Sequence, residues 1–284
     1  MSRCLFFLTL LFILLTHVVF GADRPEAVLV KKMISACENV KSARFTMLQT
    51  ERLPSGKFSI SEVLAKVQYN PKKVYLYMVK PNAGAEALWI NDRPDAKVLI
   101  SPGGFPYVNI RFNTHSSLLR EDGHHTIEEI GFEQIAAMIR YYSGKMGDGF
   151  YKYLTIDDTL TWDNHTCIQI TYDYKEYTLT NYTVQKGETI TSIASKYFLN
   201  DYAVLMANPS VKNYESVKAG QIIKLPNFYC RRLTFLIDKT SFLPIKQTIF
   251  DTKGFFEQYE IKSLILNPAF VPDEFSEGYK DYKF

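Results

Sequence analysis

Residues 182–197 read YTVQKGETITSIASKY and interrupt a chain otherwise written in the two-residue alternation of strands. Before them runs HTCIQITYDYKEYTLT (165–180), and after them FYCRRLTFLIDKTSFLPIKQTIFD (228–251). Within the interruption YTV is a short strand, Gly187 a turn, and Thr189 the cap of a helix carrying Ile190, Ile193, Ala194 and Tyr197 at i, i+3, i+4 and i+7. Asp201 is placed to cap a second helix with Tyr202, Leu205 and Met206 on one face, and Asn208-Pro209 stops it because proline cannot continue the hydrogen-bond ladder. KAG turns, and QIIKLP closes as a strand. The spacing predicts a βααβ unit over residues 181–226, whose first and last strands lie side by side and leave a surrounding hairpin undisturbed.

On these residues the stretch resembles a LysM domain. YTVQKGETITSIASKY, LMANPSV and VKAGQIIKLP match that family's opening strand, capped helix, Asn-Pro stop and closing strand in order and spacing. The resemblance implies binding of polymers that contain N-acetylglucosamine, such as peptidoglycan or chitin, in a shallow groove between two loops. Carried onto this sequence, the groove residues are Gly187, Glu188, Thr189 and Ile190 on one side and Asn208, Pro209, Ser210 and Val211 on the other. Backbone N–H and C=O groups of two turns suit an acetamido group, and small apolar side chains suit its methyl. Such a site requires no metal or cofactor.

The composition bounds the rest. At 284 residues, 46% hydrophobic and 22% charged, the chain can bury a sizeable core, and 19 Tyr with 20 Phe favour strands. A net charge of +3 with the two signs mixed leaves no block that would track a phosphate backbone, so nucleic acid is not an expected partner. At the N-terminus Arg3, an apolar run from Leu5 to Leu15 and small residues at Gly21 and Ala22 read as a secretory signal peptide over residues 1–21. Cleavage is expected after Gly21, with Ala22 as the alternative, and the location is the periplasm or cell envelope. Cys4 leaves with that segment, stranding Cys37, Cys167 and Cys230 in an oxidising compartment. A tight hairpin sets Cys230 opposite a residue near 174, about seven positions from Cys167 at ~3.3 Å each, which argues against their pairing.

Around the insert, residues 22–180 and 227–284 read as one discontinuous host domain. A helix is expected over 25–39, then antiparallel strands through SARFTMLQTERLP, FSISEVLAKVQYN, KKVYLYMVKP, AEALWIND, AKVLISPGG and PYVNIRFN. Thr126 with Glu129 forms a capping box opening a second helix on Ile127, Ile130, Ile135, Met138 and Ile139. Strands resume near Tyr151, turn at Asp163-Asn164, and end in a hairpin about Gly254, with a polar tail over the surface. This pattern gives an α+β fold, a curved antiparallel sheet with helices covering its concave face. GAEALWINDRPDAKVLISPGG, GHHTIEEIGFEQIAAMI and the ending from Asp238 to Pro268 resemble a family of secreted bacterial proteins of unknown function, similar in architecture to LolA and LolB. That resemblance implies a half-barrel lidded by helices, and a lipid or lipoprotein as a possible second partner. Candidates for its concave face are Phe45, Met47, Val67, Tyr69, Tyr75, Tyr77, Trp89, Ile168, Ile170, Phe235 and Ile237, read as packed core before cavity lining.

No catalytic constellation stands out. His165 and Cys167 share a strand face, but about 6.6 to 7 Å of backbone separates them and nothing nearby would activate the thiol. Glu121, His124, His125 and Glu128 surround one loop, yet adjacent histidines rarely converge on one ion. The adjacent carboxylates Asp157-Asp158, Glu128-Glu129 and Asp273-Glu274 read as solvated faces. The expectation is a binding protein without catalysis, cofactor or metal. The competing readings are a lipid carrier and a cell-wall hydrolase tethered by the insert.

Overall fold

The computed structural model describes residues 24–95, 97–105, 107–120 and 123–284, so the expected signal peptide, Cys4 and Glu121 lie outside it. Helix α1 (Pro25–Asn39) begins on a proline in its first turn and buries Leu29, Val30, Met33, Ile34 and Cys37. A meander follows: β1 (Ser42–Arg52), β2 (Phe58–Gln68), β3 (Lys73–Lys80), β4 (Glu86–Ile90), β5 (Val98–Ser101) and β6 (Ile110–Phe112). Helix α2 (Glu133–Met146) precedes β7 (Leu154–Trp162) and β8 (His165–Asp173). The insert comprises β9 (Leu179–Thr183), α3 (Ile190–Lys196), α4 (Asp201–Met206) and β10 (Ile222–Pro226); β11 (Arg232–Asp238), β12 (Pro244–Asp251) and β13 (Gly254–Leu266) complete the chain.

The host strands form one antiparallel 11-stranded sheet in the order β6-β5-β4-β3-β2-β1-β13-β12-β11-β8-β7. Its end strands do not pair with each other, so the sheet stays open. One face carries the main core, where α1 and α2 cover Phe45, Met47, Val63, Val67, Val74, Trp89, Ile170 and Phe235. Strands β8 and β11 pair from Arg232↔Asp173 to Asp238↔Cys167, so the insert leaves from one end of a host hairpin and returns beside its exit. It has its own two-stranded sheet, Ile222↔Thr183 to Pro226↔Leu179, and its own core of Val184, Ile190, Ile193, Val204, Ile223 and Leu225. Cys37, Cys167 and Cys230 are buried and unbridged.

Three details differ from the sequence reading. Tyr75 and Tyr77 face away from the helices and join Leu88, Leu99 and Phe275, with Tyr282 stacked on Tyr75 at 3.8 Å. Strand β3 is apolar on both faces because the C-terminal tail covers the second one, so alternation alone gave no phase. The helix expected from Thr126 is divided: residues 127–129 form a single 3₁₀ turn, Gly131 takes φ +118, and α2 starts at Glu133. A Cβ on Gly131 would meet the Tyr69 hydroxyl oxygen at 2.3 Å, and that hydroxyl accepts from the Phe132 amide at 3.0 Å, so the break is fixed by a glycine-only contact. In the insert, Asn200 rather than Asp201 caps α4, accepting from the Ala203 amide at 2.9 Å.

Candidate functional site

The two loops expected to hold sugar are joined by a hydrogen bond from the Ile190 amide to the Tyr214 carbonyl, 2.7 Å. In the first loop Gly187 is exposed at φ +83, a left-handed conformation that glycine adopts without strain. Glu188 accepts from the Tyr182 hydroxyl at 2.8 Å and from the Gln185 amide at 2.9 Å. The Gln185 amide, with the Tyr182 hydroxyl and Lys196, holds the Glu188 carboxyl below its ordinary range. Thr189 and Ser192 cap α3 reciprocally, side chain to amide, at 3.0 and 2.8 Å. Ile190 is fully buried in the insert core.

In the second loop Asn208 is consumed by the fold. Its amide group donates to the Val204 and Lys224 carbonyls at 2.8 and 2.7 Å, and its oxygen accepts from the Lys224 amide at 2.7 Å. Val211 is buried, while Pro209 and Ser210 are exposed. Of the eight expected residues, Ile190, Asn208 and Val211 are therefore framework, and Glu188 and Thr189 have their side chains engaged. What remains for a ligand is the backbone at Gly187, Pro209 and Ser210; the Gly187 and Ser210 amides find no acceptor among the described residues. Pro209 and Val211 also border an open cleft of about 590 Å³ between the insert and the host turns at Leu53–Gly56 and Asp251–Lys253.

Beneath α4 lies a constellation that local sequence patterns did not reveal. Glu51 on β1 and Glu257 on β13 are register partners, and both are buried. His124 Nδ1 lies 2.6 Å from Glu257 Oε2, and its Nε2 lies 3.0 Å from the Arg52 carbonyl. His125 Nδ1 meets Glu129 Oε2 at 3.1 Å while its Nε2 meets Glu257 Oε1 at 3.3 Å. Tyr259 donates its hydroxyl to Glu51. The two adjacent histidines thus converge on one carboxylate, contrary to the expectation of a simple loop before a helix cap. The expected Thr126–Glu129 capping box is present, with Glu129 accepting from the Thr126 amide at 2.8 Å, but it opens the short 3₁₀ turn and not a long helix.

Electrostatics sort these groups. Burial alone would depress His125, but the Glu257 and Glu129 carboxylates outweigh it and carry it well above its ordinary value. Burial would likewise raise Glu257, yet His125 and His124 hold it down to about 2. Glu51 is pushed up by burial, against the pull of the histidines. The insert closes the cluster: the Tyr202 ring stacks on His124 at 4.0 Å, and the Asn200 amide donates to Glu257 at 3.5 Å. Alongside, Arg120 grips Asp201 through two hydrogen bonds of 2.7 and 2.5 Å and lies over the Tyr214 ring at 4.1 Å.

One donor atom each from Glu51, His124 and Glu257 lies within 4.8 Å of the others, a set of the kind that holds a metal ion. His125, Glu129 and Tyr259 form the polar end of a cavity of about 90 Å³ otherwise walled by Phe45, Met47, Ile130, Met138, Leu233 and Ile261, with Phe198 and Leu199 of the insert at its rim. The phase of the strands carried a signal for these residues. Glu51 continues the inward series Phe45, Met47, Gln49, and Glu257 the series Ile261, Tyr259, so two charges sit where a core residue is due. The candidate Cys-His pair does not form: His165 turns to Asp238 at 3.3 Å, and burial, with Asp238, pushes the Cys167 thiol up.

An open antiparallel half-barrel with helices on one face and an inserted βααβ unit is the class that this architecture defines. The chain belongs to the family of proteins of unknown function called DUF1571, whose model matches residues 40–199, more than half of the chain. A LysM domain model matches residues 182–226. No curated protein matches the sequence. Among solved structures, LprF from Mycobacterium bovis is 13% identical with a TM-score of 0.43, over 89% of this chain and 98% of that one. The lipoprotein LppX from Mycobacterium tuberculosis is 13% identical with a TM-score of 0.42, over 88% and 100%. A LolA superfamily protein from Nitrosomonas europaea is 8% identical with a TM-score of 0.33, over 87% and 94%.

Proposed function

We propose that this is an exported, non-catalytic envelope protein that binds peptidoglycan or another N-acetylglucosamine polymer through residues 181–226, with residues 22–180 and 227–284 as its host and residues 1–21 as a signal peptide. The LysM match carries this reading, and the two joined loops that expose backbone groups of Gly187, Pro209 and Ser210 support it. Glu188, Thr189, Ile190, Asn208 and Val211 act by shaping those loops. A sugar that reads backbone amides needs no perturbed acid, which agrees with the side chains here being spent on the fold.

The volume of the host cavity bears on the other readings. About 90 Å³ is far below the ~300–1,000 Å³ of ordinary small-molecule sites, so an acyl chain needs the helices to part, and Glu257 is itself wholly buried. The carrier and hydrolase readings are therefore secondary. Retention on insoluble peptidoglycan tests the proposal by comparing the mature protein with a form whose residues 182–226 are replaced by a short turn, and with Ser210→Trp. Ser210 is exposed, so the tryptophan blocks the groove without entering the core. Both variants are expected to lose retention; retention equal to the parent's in the folded Ser210→Trp protein overturns the assignment of the groove. Mass spectrometry of lipid extracted from the purified protein tests the carrier reading separately.

A further inference from the structure

We propose that Glu51, His124 and Glu257 form a binding site for a first-row divalent transition-metal ion, a site independent of the sugar groove. Glu51 and Glu257 stand directly opposite each other across β1 and β13 and are 5% and 0% exposed. Like charges opposed in a sheet repel, and buried carboxyl groups persist where a proton, a positive group or a metal ion compensates their desolvation. The chain sends His124 into the same place. Its ring is wholly buried, held between Tyr202 at 4.0 Å and Phe256 at 4.4 Å, so its orientation is fixed.

The tautomer follows from its neighbours. Arg52 offers a carbonyl oxygen at 3.0 Å, which can only accept, so Nε2 carries a hydrogen and donates to it. Nδ1 faces the carboxylates, 2.6 Å from Glu257 Oε2, so a bound ion would take the place of the hydrogen that otherwise joins this pair. A ligating imidazole whose second nitrogen is anchored on a backbone carbonyl is the usual arrangement around a protein-bound metal. The ligand carboxylates are braced in turn: Tyr259 donates to Glu51, and His125 and Asn200 approach Glu257 at 3.3 and 3.5 Å.

The spacing suits one ion. Donors ~2.1 Å from one tetrahedral metal stand about 3.4 Å apart, so atoms now within 4.8 Å of one another need close by no more than about 1.4 Å. One imidazole with two carboxylates favours zinc, manganese or iron over calcium and magnesium, which prefer all-oxygen shells. Three protein ligands leave a further position open, beside the cavity wall formed by His125 and Tyr259. An ion here ties β1, β13 and the His124 loop together under Tyr202 and Asn200, and so fastens the floor on which the insert rests.

The test uses tag-free full-length protein stripped with EDTA and titrated with ZnCl₂, reading stoichiometry by elemental analysis and affinity by calorimetry. Co²⁺ substitution supplies a spectroscopic signature, since its visible absorption reports mixed nitrogen and oxygen ligation. One ion per chain is expected, together with a rise in melting temperature. Glu51→Gln and His124→Gln are expected to weaken binding by about tenfold or more, while His165→Gln, remote from the site, leaves it unchanged. Circular dichroism establishes which variants fold, and the titration of the parent protein does not depend on them. Absence of binding by the parent, or binding by folded Glu51→Gln and His124→Gln proteins as tight as the parent's, overturns the site and leaves a purely hydrogen-bonded cluster.

Discussion

At the scale of single residues, the cluster under α4 makes stability depend on pH in a defined direction. In EDTA-treated protein Glu257 is held near 2, below its ordinary 4.5; its contribution is complete above pH 4.5 and is lost as the pH falls from there toward 2. His125 moves the other way. Its folded value lies well above 6.5, so its contribution is complete below 6.5 and is lost as the pH climbs through the raised value. Glu51, raised by burial, adds to the decline above 4.5. Melting temperature is therefore expected to peak in mildly acidic solution and fall on both sides, and a melting series in matched ionic strength checks it. Glu257→Gln should flatten the acid limb and lower the maximum, because it leaves two histidines facing a neutral amide. Strand phase marked Glu51 and Glu257 as charges at inward positions, but their meeting was not legible in local sequence. His124 and His125 were visible as a pair, but Glu51 and Glu257 are 206 positions apart, and only strand register sets them opposite each other.

At the scale of elements, the insert shows which motif residues serve the fold. Asn208 bonds the end of α4 to the middle of β10, with three hydrogen bonds from one amide group. Asn208→Ala strands the Lys224 amide and carbonyl, and should cost about 1–3 kcal/mol in stability, read by denaturant unfolding of the full chain. Sugar retention should fall with it, since the second loop loses its anchor. The strand–helix–helix–strand order, the Thr189 cap and the stop at Asn208-Pro209 were all legible, because capping and proline effects act within a few residues. The second helix of the host was misread at its start for the converse reason. Ile127, Ile130 and the Thr126–Glu129 spacing suit a helix, but Gly131 packs on the Tyr69 hydroxyl, a contact from another strand that breaks the pattern.

At the scale of the whole molecule, the insert is docked on its host by a buried ion pair. Arg120 is 3% exposed, and its two hydrogen bonds to Asp201, together with the Tyr214 ring beneath it, join the host loop to α4 and to the loop that follows it. Arg120→Ala leaves Asp201 unpaired and should destabilise the docked state by about 3–5 kcal/mol. The readout is faster hydrogen exchange across α4 and earlier proteolysis at the two links, near residues 174–178 and 227–231. The double variant Arg120→Ala, Asp201→Ala should cost little more than either single change, since each removes the same interaction. The sequence by itself determined that strands dominate, that a βααβ unit interrupts them between β8 and β11, and which residues turn and cap that unit. These follow from periodicity and from steric rules that act over a few residues. Only the tertiary structure decided which face of β3 meets the helices, how small the host cavity is, and that β1, the His124 loop, β13 and the insert meet in one cluster. Those outcomes depend on strand order and register across the sheet, which place residues by pairing between strands rather than by their neighbours along the chain.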